Sequence, residues 1–133
     1  LIEAAGKFNF ELKIGCPKKY SPNKSILKLA KKEKVKLTIT SKPLEAVTGA
    51  DCVMTDAWVS MGEKSSKKKY FKNYQVNSNV MKNASKEALF MHCLPAHRGQ
   101  EVSSELLDGN RSIVWQQAQN RMYVQQAIIL DLL

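Results

Sequence analysis

Three short segments hold the residues whose types and spacing could do chemistry. The first is Asp56-Ala57-Trp58-Val59-Ser60-Met61-Gly62-Glu63-Lys64. A carboxylate directly after an apolar stretch, followed by a small hydroxyl and a Gly-containing turn, can hold a cationic amine at a fixed point. The same residues also suit a helix-capping Asp and an ordinary turn. The second is His92-Cys93-Leu94-Pro95-Ala96-His97-Arg98-Gly99. Three chemistries fit it. His92, Cys93 and His97 could ligate zinc, although a structural zinc site needs a fourth ligand. Cys93 could be a nucleophile activated by a nearby His. The segment could instead be a polar pocket wall that positions a substrate. Leu94-Pro95 is a candidate for the cis form, which would turn the Leu94 carbonyl towards a ligand. The third segment is Gln116-Gln117-Ala118-Gln119-Asn120-Arg121-Met122. Free N–H groups at a helix start attract an anion, and Arg121 could add a fork of donors. A surface Arg is the plain alternative.

The elements that would position these residues alternate between strand and helix patterns. Strands are expected over residues 10–15, 35–40, 52–55, 88–92 and 112–115, from period-2 alternation or short apolar runs bounded by turn residues. The runs at 52–55 and 88–92 read as strands buried on both faces. Helices are expected over 1–8, after a cap at Asn23 or Ser25, over 43–47 behind Pro43, after Ser103 and from about 116 to the end. A long loop at 56–66 precedes a helix carrying Tyr70, Phe71 and Tyr74, and Asp108-Gly109-Asn110 makes a turn. Such alternation implies an α/β class, a doubly wound (Rossmann-like) parallel sheet with helices on both faces. Ligands of such sheets lie beyond the carboxyl ends of the strands. The first two segments occupy such ends.

Composition narrows the function classes. The chain has 133 residues, 44% hydrophobic and 25% charged, as one globular domain would. No apolar run approaches the roughly 18 residues of a membrane helix. Three cysteines, at 16, 52 and 93, form no C-x-x-C pair and suit a reducing compartment. The net charge of +9 is uneven: residues 1–86 carry +11 and residues 87–133 carry −2. That pattern would favour a non-catalytic polyanion-binding domain. The basic residues are nearly all Lys, however, and readers of phosphate and bases are more often Arg. No nucleic-acid partner is therefore expected. The opening Leu1-Ile2-Glu3-Ala4-Ala5 has no initiator Met or helix cap, and reads as a chain entered in mid-helix, a piece of something longer.

Taken together the three segments resemble one family. Asp56-Ala57-Trp58-Val59-Ser60-Met61-Gly62 is similar to the D-x-W-x-S-M-G loop of ornithine carbamoyltransferases. His92 to Gly99 resembles their H-C-L-P-A-H/x-R-G signature, and Asn120-Arg121-Met122 their E-N-R-(L/M)-H stretch. Aspartate carbamoyltransferases have an H-P-L-P-R motif instead and lack the S-M-G loop. Gln119 and Tyr123 depart from the pattern, standing where Glu and His are usual. The resemblance implies a two-domain enzyme of which residues 1–133 are the ornithine-binding domain, truncated at its start. Its final helix, about 116–133, is expected to pack on an N-terminal carbamoyl-phosphate domain.

The implied reaction moves the carbamoyl group of carbamoyl phosphate to the δ-amine of L-ornithine, giving L-citrulline and phosphate. By resemblance, Asp56, Ser60 and Met61 bind ornithine, and Cys93 and Arg121 are catalytic. Cys93, Leu94 and Arg121 are the carbamoyl-phosphate contacts. No metal and no organic cofactor is implied, since carbamoyl phosphate is already activated. A homotrimer in the cytoplasm, in arginine metabolism or the urea cycle, completes the expectation. The alternatives are a carbamoyltransferase for another amine, such as putrescine or an acylated ornithine, and the polyanion-binding domain above.

Overall fold

In a computed structural model, residues 1–59 and 65–133 are described, and they divide into two compact units, Leu1–Thr48 and Gly49–Leu133. In the first unit, helix α1 (Ile2–Phe8) is closed by Asn9 in the left-handed conformation, φ 53°. Asn tolerates that region better than most residues. Strand β1 (Leu12–Gly15) pairs in parallel with β2 (Leu37–Thr40), Leu12 opposite Leu37. Between them runs α2 (Lys24–Lys32), capped by Asn23, whose side chain accepts from the Ile26 N–H. Asn23, rather than Ser25, is the cap. A short α3 (Pro43–Val47) follows β2, with Pro43 at its start. It comes so close to β1 that a Cβ on Gly15 would stand 3.0 Å from the Ala46 Cβ. Both strands are two residues shorter than the apolar pattern, because pairing begins only where the register aligns Leu12 with Leu37.

The second unit repeats the parallel pairing. Strand β3 (Cys52–Thr55) lies beside β4 (Leu89–His92), with Thr55 opposite His92. Between them come a 3₁₀ turn (Ser65–Lys67), α4 (Lys68–Phe71), a further 3₁₀ turn (Lys72–Tyr74) and α5 (Ser78–Met81). The expected helix with Tyr70, Phe71 and Tyr74 is thus broken into short turns. Its aromatics still cluster: Phe71 stacks on Trp58 at 6.2 Å between ring centroids and meets Tyr74 edge-on at 6.0 Å. The unit's core holds Phe90, Val102 and Val114, all fully buried. Helix α6 (Ser104–Leu107) is capped by Ser103, as its sequence requires.

Two expectations need correction. The last strand, at 112–115, is a single bridge, Ser112 beside Phe90. Phe90 donates its N–H to Arg111 and accepts from Ile113, after which the backbone turns straight into α7 (Val114–Asp131). The final helix therefore starts at Val114, two residues before the expected position, with Ile113 at its N-cap. The strands over 52–55 and 88–92 are also not covered on both faces. Val53 and Phe90 are buried, but Met54 and Leu89 are about two-fifths exposed, so these apolar runs cover one side only. Among the described residues the strands form two parallel pairs, one in each unit. The α/β class and the parallel pairing stand as expected. No described helix is long and apolar enough to cross a membrane.

Candidate active site

The site lies at the carboxyl ends of β3 and β4, within the second unit. Parallel pairing sets Thr55 opposite His92, so the next residue on each strand, Asp56 and Cys93, leaves the sheet side by side. The Cys93 thiol donates to Asp56 Oδ1 at 3.0 Å. The Ala57 N–H donates to the same oxygen at 2.7 Å and fixes the carboxylate on its turn. Asp56 is exposed and Cys93 half-buried, so the pair opens to solvent.

Burial pushes the Cys93 thiol above its ordinary pKa, and the hydrogen bond to Asp56 and that residue's negative charge push it further. The thiol's own backbone N–H and the Arg121 charge pull the other way without reversing the shift. A thiol donating to a carboxylate is held as a neutral donor. It is poorly set for nucleophilic attack, which needs the thiolate. Arg121, on α7, is exposed and makes its charge felt at Cys93.

The loop that carries Cys93 and Leu94 is held from beneath by side chains. Leu94 has φ 54°, and the Leu94-Pro95 bond is cis, as its sequence context suggested. Its N–H donates to His92 Nδ1 at 2.9 Å. Gln117 Oε1, on α7, accepts from the His92 N–H at 3.0 Å. Glu101 accepts from the His97 N–H, and His92 Nε2 and His97 Nδ1 stand 3.5 and 3.4 Å from its Oε1. His92 and Glu101 are both fully buried. Arg98 forms a bidentate pair with Asp108 and ties the far end of the loop to the residue after α6.

All three chemically suggestive segments therefore converge. Asp56 meets Cys93, Gln117 meets the His92 backbone, and Arg121 acts on Cys93 through its charge. Ser60 and Met61 lie outside the described residues. The zinc arrangement does not form: Cys93 faces Asp56 while His92 and His97 face Glu101. Among the described residues no group of three His, Cys, Asp or Glu side chains could hold a metal ion. Activation of Cys93 by a His fails for the same reason, since its partner is a carboxylate. Glu101 and Gln117 escaped the sequence reading as contributors. Glu101 stands four residues past His97, but only burial shows that it faces two histidines. Gln117 looks like one of several surface glutamines until α7 is laid against β4.

Set beside known proteins, residues 1–132 match the model of a family described as "Aspartate/ornithine carbamoyltransferase, Asp/Orn binding domain". The chain belongs to the aspartate/ornithine carbamoyltransferase family. It is 47% identical over 135 residues to an ornithine carbamoyltransferase of Nitrosococcus oceani, covering 99% of this chain and 43% of that protein. It is 47% identical over 131 residues to an anabolic ornithine carbamoyltransferase of Pseudomonas aeruginosa, covering 96% of this chain and 42% of that one. The crystal structure of an anabolic ornithine carbamoyltransferase from Campylobacter jejuni superposes with a TM-score of 0.92 at 36% identity, covering 98% of this chain and 45% of that one. The carbamoyltransferase of Pyrococcus furiosus gives 0.87 at 35% identity, over 96% and 43%. The chain thus spans less than half the length of these relatives, and its α/β fold is that of their corresponding domain.

Proposed function

We propose that this chain is the ornithine-binding part of an ornithine carbamoyltransferase. The δ-amine of L-ornithine attacks the carbonyl carbon of carbamoyl phosphate, the C–O bond to phosphate breaks, and citrulline and phosphate form. The observation that carries this reading is the hydrogen bond from Cys93 to Asp56. It joins the two most distinctive motifs at one point on a pair of parallel strand ends. An exposed carboxylate there suits the α-ammonium of an amino acid. Ornithine's two nitrogens are separated by a short carbon chain, so one molecule can reach both Asp56 and the ground beside Cys93.

Ser60 and Met61 complete the ornithine cradle. Cys93, neutral and donating, stands beside the reacting amine, and the Leu94 carbonyl accepts from the carbamoyl NH2. Arg121 faces the carbamoyl-phosphate oxygens. Its positive charge suits both the anionic substrate and the oxyanion that develops on the carbonyl. Carbamoyl phosphate needs no cofactor to be activated, and rate comes from positioning two reactants and from fixed charges.

The exposed end of α7 fits the same reading. Ile128, Ile129, Leu130, Leu132 and Leu133 are all more than half exposed, an apolar face too large to leave in water. In the whole protein it packs on the carbamoyl-phosphate domain, and three such chains assemble in the cytoplasm. The test is citrulline formation by the intact protein from ornithine and carbamoyl phosphate, with putrescine, acylated ornithine and aspartate offered in parallel. Citrulline from ornithine alone supports the reading. Equal turnover of putrescine, or none with any amine, would sink it.

A further inference from the structure

Glu101 is the least explained group in the second unit. It is a carboxylate with no exposed surface, and among the described residues its Oε2 has no hydrogen-bond partner, nor has the Nε2 of equally buried His92. Buried polar groups left unpaired are rare and costly, and one that persists calls for a reason. Its other oxygen, Oε1, is the one its neighbours face. The loop from His92 to His97 leaves β4 and is pinned by side chains: the Leu94 N–H goes to His92, and the His97 N–H goes to Glu101. Because His92 Nδ1 accepts from Leu94, it carries no proton, and the proton of a neutral ring sits on Nε2, facing Glu101. Glu101 is therefore the common floor under both ends of the loop. It meets one end through His92 and the other through the His97 backbone.

We propose that Glu101 is a positioning residue, whose carboxylate clamps the 92–97 loop and thereby keeps the Cys93 thiol seated on Asp56. Its meaning for catalysis rests on the carbamoyl-transfer reading, but the clamp itself does not. Glu101 touches neither Cys93 nor Asp56 and acts through His92 and the loop backbone. With the clamp released, the loop opens locally, the thiol leaves the carboxylate, and it becomes both more accessible and easier to ionise.

Alkylation of the native 133-residue chain by iodoacetamide, followed peptide by peptide by mass spectrometry, tests this directly. Cys52 on β3 serves as an internal control for the same unit and Cys16 for the other. Glu101→Ala should raise the Cys93 rate about five-fold, the equivalent of one net hydrogen bond, with Cys52 and Cys16 unchanged. Glu101→Gln retains an acceptor oxygen and should stay within about twofold of the parent. In an Asp56→Ala background the thiol has lost its acceptor and is already released, and Glu101→Ala should add little.

An unchanged Cys93 rate in Glu101→Ala would overturn the proposal. So would an equal rise at Cys52, which would make Glu101 a support of the whole unit and not of the loop. A full rise persisting in the Asp56→Ala background would also overturn it. Failure of the intact parent protein to form citrulline would count against the carbamoyl-transfer reading alone, because alkylation does not depend on it.

Discussion

Each unit of this protein is built on two parallel strands, and in each a cysteine is the first residue past the end of a strand. Cys16 follows β1 and Cys93 follows β4. The partner strands also match, for β2 and β3 both end in Thr, at Thr40 and Thr55. The chemistry diverges at the next residue, which is Ser41 in one unit and Asp56 in the other. Cys93 consequently donates to a carboxylate at 3.0 Å, whereas Cys16 meets the Ser21 hydroxyl at 4.0 Å. The acid nearest the end of β2, Glu45, is occupied by Thr40 and Lys42. A parallel strand end provides a place for a site. Whether it becomes one depends on which side chains the register sets against each other.

The two cysteines should differ most in what their removal costs. In the intact protein, Cys93→Ala should lower citrulline turnover on the order of 10²-fold, as removal of one positioned donor does. Cys93→Ser, which keeps a donor, should lose less and form no thiocarbamate adduct by mass spectrometry. Cys16→Ala should leave turnover unchanged. Equal losses at both positions would erase the distinction.

The carboxylates give the next effect. Asp56→Asn keeps the shape but removes a charge-assisted bond, about 1.5–3 kcal/mol, and should appear as weaker ornithine binding with carbamoyl-phosphate binding little altered. Glu45→Gln, at the other strand end, should change neither. Unchanged ornithine affinity in Asp56→Asn would move the amino-acid site to another loop.

A smaller effect concerns pH. The Cys93 thiol is raised in the fold by burial and by Asp56, so above the ordinary thiol range the folded chain holds a proton that the unfolded chain has lost. The stability it contributes is complete below the unfolded thiol's pKa and is lost as pH rises through the folded one. Urea titrations across that window should show stability falling with pH, and Cys93→Ser should flatten the fall while Cys16→Ser does not. Cys52, also pushed up by burial, adds slope of the same sign. A Cys93→Ser chain with the parent's full slope would contradict the assignment.

The smallest difference is between the helix caps. Asn23→Ala in the first unit and Ser103→Ala in the second should each cost about 1 kcal/mol by urea unfolding. Each loses one side-chain bond to a helix N–H, and citrulline turnover should not change with Asn23→Ala.

Much of this molecule is legible in its order of residues. Pro43, Asn23 and Ser103 mark their helices because each acts on the backbone within a few residues. The motifs around Asp56 and Cys93 identify the family, since residue type and spacing are themselves what is matched. The short strands 52–55 and 88–92 were visible as apolar runs, but their exposed faces were not. An apolar residue reads the same whether or not another element covers it. The strand expected at 112–115 failed because its apolar residues serve a helix start that is buried at Val114.

The sequence by itself determined the elements, the family and the side chains available for chemistry, all set by local backbone preference and residue type. The tertiary structure decided which of them meet. Asp56 and Cys93 are 37 residues apart in the chain, and parallel register alone makes them neighbours. His92 and Glu101 become a buried pair only when the loop folds back over β4, and Gln117 reaches the His92 backbone only because α7 lies against that strand. Distances of that kind are properties of packing, and packing is set by the whole fold rather than by neighbours in sequence.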